Sequence, residues 1–337
     1  MSKPKLDIPI SVLDLVPVVE GQSVEQSFRN TLELAQHAER WGYARYWLAE
    51  HHGMPGVASS ATSVVIAYVA AGTRTIRVGS GGIMLPNHAP LMVAEQFGTL
   101  ESMFPGRIDL GLGRAPGSDF ATTRALRRGL SSSGDDFPEL LAELRAYFQP
   151  PAESDSPRVR AVPGEGLNIP IWLLGSSGFS AQLAAYLGLP FAFASHFAPD
   201  YLMQALELYR TGFRPSDDCP EPRVMVGLNV IAADTDEEAA VLSTSLYQQF
   251  LNMIRGRPGR MKPPTHPDRL DWNDYEKSVV MGQLRYTIIG GPDTVRAKLA
   301  EFKKQTGADE FIISAAIYDH RARMRSYEIV ADVVRGR

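Results

Sequence analysis

Tyr46-Trp47-Leu48-Ala49-Glu50-His51-His52-Gly53 begins as a buried strand and ends abruptly in a carboxylate, two imidazoles and a glycine. An apolar strand emptying into ionisable groups reads as the mouth of an α/β enzyme. Similar strand ends recur at Gly79-Ser80-Gly81-Gly82, Gly111-Leu112-Gly113-Arg114, Gly175-Ser176-Ser177-Gly178 and Ala194-Ser195-His196. Their recurrence implies one shared rim.

Around these ends, short apolar runs alternate with segments of helical period. Strands are expected at 8–18, 43–49, 76–85, 107–112, 170–175, 190–194, 223–233 and 309–316. Helices are expected from Ser23 to Trp41, and at 59–71, 90–103, 137–148, 179–187, 199–211, 236–255, 293–306 and 321–335. Ser23 with Gln26 three residues on forms a candidate capping box. Eight strands alternating with helices predict an α/β fold, a (β/α)8 TIM barrel over 1–337 as one domain, with insertions after strands 4 and 7. A doubly wound open sheet is the alternative, since strand order is invisible in sequence. Ser131–Asp136 reads as a polar turn and 149–170 as a proline-rich connector. The basic, proline-rich stretch 256–271 reads as a long loop, functional or mobile.

Composition narrows the function. With 34 basic and 38 acidic residues, the net charge of −4 gives no strong pull toward nucleic acid or anionic membrane. Cys219, the only cysteine, excludes an intrachain disulfide and a multi-cysteine metal site; its Asp-Asp-Cys-Pro setting reads as an exposed turn carrying an unreactive thiol. The first residues lack the apolar core of a secretory signal and no window has the length of a membrane span, so a soluble cytoplasmic protein is expected.

Gly175-Ser176-Ser177-Gly178, between a strand and a helix, offers free N–H groups and a helix dipole to a phosphate; a tight turn with a serine cap reads equally well. Arg114, at the end of a neighbouring strand, could supply the charged partner. Glycines at 79, 81 and 82 inside a strand fit a flat ligand lying against the backbone, or a β-bulge at a barrel corner. A histidine of the 51/52 pair reads as an acid/base or hydrogen-bonding group. Adjacent residues on a strand point to opposite faces, so at most one of the two faces the centre. His88 and His196 also follow strand ends, which leaves a two-His-one-carboxylate iron site as an alternative to the expected absence of metal. Trp41, Trp47 and Trp172 read as core.

Together, Trp47-Leu-Ala-Glu-His-His-Gly, Val78-Gly-Ser-Gly-Gly-Ile-Met-Leu-Pro86, Pro105-Gly-Arg-Ile-Asp-Leu-Gly-Leu-Gly-Arg114 and Gly188-Leu-Pro190 resemble the bacterial-luciferase-like flavin monooxygenases over nearly the whole chain. The resemblance implies a barrel that binds FMN, as reduced FMN delivered by a separate NAD(P)H:flavin reductase. Oxygen then forms a flavin peroxide that oxidises a small organic substrate such as an aldehyde or ketone. It also implies His51 as the acid/base group near the reacting centre, and a non-proline cis peptide at Gly81–Gly82 beneath the flavin ring. Phosphate contacts from Arg114, Ser176, Ser177 and Gly178, a mobile lid within 256–271 and a homodimer packed through barrel helices follow from the same resemblance. Two positions depart from the pattern. Gly113 stands where some relatives carry a cysteine, and Gly175 where an acidic residue ends the fifth strand. A deazaflavin-dependent hydride-transfer enzyme of the same superfamily, its acidic cofactor met by Arg255, Arg257, Arg260 and Lys262, and a flavin binder without turnover are the alternatives.

Overall fold

A computed structural model of the chain describes residues 5–115, 120–127, 134–150 and 159–337. The expected turn at Ser131–Asp136, the connector 149–170 and the N-terminal residues therefore fall partly outside the described residues.

The strands, in chain order, are β1 (Ile10–Asp14), β2 (Arg45–Leu48), β3 (Arg77–Ser80), β4 (Ile83–Met84), β5 (Ile108–Gly113), β6 (Ile171–Gly175), β7 (Phe191–Phe193), β8 (Val224–Ala232), β9 (Ile288–Gly290) and β10 (Glu310–Ser314). All pairings between them are parallel, running β10-β1-β2-β3-β5-β6-β7-β8, and β10 returns to β8 through Phe311 opposite Val226. The sheet closes into a barrel of eight positions, as the alternating pattern predicts. β4 continues the β3 position, pairing Ile83 with Leu112 of β5. β9 lies off the ring, extending the far end of β8 through Val230 and Ile288.

Closure gives every strand two faces. Leu13, Trp47, Ala49, Trp172, Ala192, Met225 and Ile312 fill the barrel interior. Val12, Tyr46, Leu48, Val226 and Leu228 pack outward into the main core, beneath helices that include α1 (Val24–Arg40), α2 (Thr62–Gly72), α3 (Pro90–Met103), α4 (Phe120–Arg127), α5 (Phe137–Tyr147), α6 (Gly178–Leu187) and α7 (Leu202–Gly212). Later in the chain come α8 (Asp236–Ile254), α9 (Asp274–Gln283), α10 (Pro292–Thr306) and α11 (His320–Arg335). Runs buried on both faces are why these strands read as continuous apolar stretches.

Trp47 and Trp172 meet edge to face in the interior, ring centroids 5.5 Å apart, whereas Trp41 packs on the outer core. Below them, toward the N-terminal ends of the strands, a charged floor replaces apolar packing. Arg45 reaches Asp109 at 2.7 Å and Glu310 at 3.0 Å, and Trp47 Nε1 donates to Asp109 at 3.1 Å. Arg77 also pairs with Asp109. Buried ions persist when each partner is satisfied, and here both Asp109 oxygens are used.

Several local readings change. Ser23 caps α1, accepting from the Gln26 amide at 3.2 Å, but the Gln26 side chain turns to Asn30, so only half of the capping box forms. α9 and β9 lie in a stretch where no element is expected from the sequence; Asn273 and Glu276 form a complete capping box there. Cys219 is buried, 6 % exposed, where the sequence implies an exposed turn. Ser216 folds that turn inward by donating to Gly188 O and accepting from Cys219 N. The 256–271 stretch is tied down: Met261 is buried and exchanges backbone hydrogen bonds with Val18 and Glu20, and Ser245 and Gln248 of α8 donate to the carbonyls of Lys262 and Pro263. No helix among the described residues is long and apolar enough to cross a membrane.

Candidate active site

The C-terminal end of β2 divides its ionisable groups between two faces. Trp47 and Ala49 point into the barrel, and His51 follows two residues on, past the end of β2. Consistent with this placement, His51 acts electrostatically on His196, which follows β7. Glu50 faces the other way. It is 1 % exposed and accepts from His52 Nε2 at 2.8 Å, from His88 Nε2 at 2.9 Å and from the Met84 amide at 3.1 Å. Burial alone would raise its pKa; the hydrogen bonds from His52 and His88, the charge of His88 and the Met84 amide outweigh it and bring the carboxyl to about 2. Glu50 thus stays ionised and anchors β4 to the end of β2.

That anchoring fixes the segment between β3 and β4. The Gly81–Gly82 peptide is cis, and Gly81 N donates to Leu48 O at 2.8 Å. A Cβ on Gly81 would stand 2.7 Å from Leu13 Cδ1 and 3.1 Å from Trp47 Cβ. The glycines therefore let this backbone lie directly on the interior packing, leaving a flat surface at the rim.

Next along the rim, Gly113 of β5 pairs with Leu174 of β6, which sets Arg114 beside the loop that follows β6. The Arg114 guanidinium stacks over Phe179, 4.3 Å from the ring centroid, at the start of α6. Ser177 occupies the N-cap position of α6, yet its side chain makes no cap hydrogen bond, and the first turn holds no acidic residue. The serine-cap alternative is thus not realised. A guanidinium stacked at the start of α6, and a helix start preceded by two serines with no carboxylate in its first turn, make a donor set that fits a phosphate.

His196 belongs to the same rim, although the sequence marks it only as another strand end. Among the described residues Nδ1 has no hydrogen-bond partner and is shut off from solvent, and burial together with His51 pushes the pKa of the ring down to about 4. Glu50, His52 and His88 place one potential ligand atom each within 4.8 Å of one another. The carboxylate-and-imidazole set considered for metal therefore involves His52 and His88 and leaves out His196. Both Nε2 atoms in it already donate to Glu50.

A closed parallel barrel with its glycine-rich and ionisable strand ends on one rim defines the class of (β/α)8 barrel enzymes. Within that class, residues 9–310 match the family model for luciferase-like monooxygenases, and the chain belongs to that family. It is 59 % identical over 331 residues to the Bacillus subtilis protein YvbT, covering 98 % of both chains. It is 52 % identical over 326 residues to an Escherichia coli luciferase-like monooxygenase, covering 97 % of both. An N-acetyl-S-alkylcysteine monooxygenase of B. subtilis is 32 % identical, covering 97 % of this chain and 98 % of its own. Among solved structures, apo-MsnO8 superposes with a TM-score of 0.86 at 37 % identity, over 97 % of this chain and 98 % of the other. Two more distant structures share the fold. One is the oxygenating constituent of 3,6-diketocamphane monooxygenase from Pseudomonas putida with FMN, with TM-score 0.71, 18 % identity, and 99 % and 98 % covered. The other is an F420-dependent secondary alcohol dehydrogenase, with TM-score 0.70, 16 % identity, and 97 % and 99 % covered. Family membership and the N-acetyl-S-alkylcysteine monooxygenase relative support an oxidoreductase.

Proposed function

We propose that the chain is an FMN-dependent monooxygenase. In this reading it takes reduced FMN from a separate NAD(P)H:flavin reductase and uses O2 to oxidise a small organic substrate. The observation that carries a phosphate-bearing flavin is Arg114 beside the uncapped, acid-free start of α6. Arg114, Ser176, Ser177 and the Gly178 N–H would hold the phosphate, and the Gly81–Gly82 backbone would support the ring. Bound reduced flavin supplies the electrons that activate oxygen. His51, on the barrel-facing side, donates or accepts a proton at the reacting centre. Glu50 holds the β4 segment in place, and the Leu13, Trp47 and Leu174 packing keeps water from below.

A deazaflavin is the less favoured cofactor. Arg255, the first of the basic residues that would meet its acidic tail, is engaged by Glu276 at 2.7 Å and by the Asp271 carbonyl, and Arg260 donates to Gln22 O. The proposal also includes a cytoplasmic homodimer formed through α2, where Val64 and Tyr68 stand one turn apart and exposed.

Binding of FMN and of riboflavin, which lacks the phosphate, by the wild type and Arg114→Ala tests the phosphate assignment. A charge-assisted contact corresponds to about a 10- to 100-fold loss of FMN affinity, with riboflavin affinity unchanged. Equal losses for both flavins, or none, would overturn it.

A further inference from the structure

β8 directs Met225 into the barrel interior, so Gly227, two residues on, faces the same way. The His196 imidazole fills the room a side chain there would need. A Cβ built on Gly227 would lie 2.5 Å from His196 Nδ1 and 3.3 Å from Cε1. His196 lies in the turn that follows β7, and its contact with Gly227 sets the ring on that side of the mouth. The residue is locked at its backbone: Asn229 Nδ2 donates to His196 O at 2.5 Å, and Ser195 Oγ donates to Gly227 O at 2.5 Å. Phe197 meets the ring edge to face at 4.9 Å.

This setting decides where the imidazole proton resides. The Gly227 Cα–H takes the direction of the missing Cβ and points at Nδ1. A lone pair suits such a C–H contact, whereas an N–H there would be sealed from water with no acceptor. The proton therefore sits on Nε2. The ring as a whole is only half-buried, with Nδ1 its sealed atom.

We propose that His196 is a hydrogen-bond donor at the barrel mouth that stays neutral at physiological pH, presenting Nε2–H to a carbonyl oxygen bound there. The inference rests on the reading of this mouth as the flavin and substrate site. A second proton would be buried beside His51, and both influences hold the ring neutral. Gly227 and Phe197, which meet the ring, and Asn229, which binds the His196 carbonyl, carry no charge. A neutral imidazole polarises a carbonyl without giving up a proton, which separates its task from the acid/base task proposed for His51. The carbonyl could belong to the flavin ring or to an aldehyde or ketone substrate.

Imidazole 15N NMR of the wild-type chain tests the tautomer directly. Nδ1 should be unprotonated and Nε2 protonated from pH 8 to pH 5. A proton on Nδ1, or titration in the ordinary histidine range, would overturn the proposal. Oxidised FMN and decanal are then bound separately to the wild type, His196→Leu and His196→Gln. Loss of one neutral hydrogen bond weakens one of the two ligands by about 2- to 10-fold in His196→Leu, and glutamine restores part of it. The ligand affected tells whether flavin or substrate supplies the oxygen; no change for either overturns the donor role. Failure of the wild type to bind FMN counts against the flavin reading alone, because the tautomer and the decanal arm are measured without flavin.

Discussion

Replacing Glu50 with glutamine keeps the size of the side chain and removes its charge from a site that is 1 % exposed. The carboxylate accepts from two imidazoles and a backbone amide; a glutamine offers one acceptor oxygen and sets an N–H2 group against one of the imidazoles. A carboxyl held at about 2 instead of 4.5 contributes about 3 kcal/mol to folding at neutral pH. Because its folded pKa is depressed, that contribution is complete above pH 4.5 and is lost as pH falls from 4.5 toward 2. Urea unfolding of the wild type and Glu50→Gln should therefore differ by about 3 kcal/mol between pH 7 and pH 5, with the gap narrowing below pH 4.5. A difference below about 0.5 kcal/mol at pH 7, within the usual range for ordinary surface substitutions, would refute the reasoning. So would a gap that stays constant as the carboxyl titrates.

The charged floor makes a second stability prediction: Asp109→Ala leaves Arg45 to Glu310 alone and removes the carboxylate that Arg77 and Trp47 also reach, and should cost about 3–5 kcal/mol in chemical denaturation, whereas a cost under about 1 kcal/mol would show that the network is dispensable. For Cys219, burial raises the thiol pKa and Sγ donates to Glu221 O at 3.0 Å. Its reaction with a disulfide reagent should be slow in the native protein and fast in urea; rapid native labelling would contradict the buried turn.

What the sequence discloses, and what it hides, follows from the range of the interactions. Apolar strands running into glycine or charge are local patterns, and they locate all eight barrel positions, with Arg114 after β5 beside the loop that follows β6. Strand alternation anticipates that His51 and His52 part company, and His52 does turn to Glu50. The charged floor is not readable in this way. Arg45 and Glu310 begin their strands, where a charge looks like an ordinary boundary, and their partnership spans 265 residues. His196 and Gly227 become a unit only once β7 and β8 are known to be neighbours. α9 was legible in part, since Asn273 and Glu276 stand at capping-box spacing, but the proline-rich run before them draws the reading toward loop.

The central claim is that this barrel mouth binds reduced flavin and directs its reaction with oxygen. The most direct test loads the protein with reduced FMN under anaerobic conditions and mixes it rapidly with O2 while absorbance is followed. Tight binding and a long-lived species with a spectrum distinct from oxidised FMN are expected. Immediate return of the oxidised FMN spectrum at the rate of free flavin, or no binding of reduced FMN, would contradict the claim.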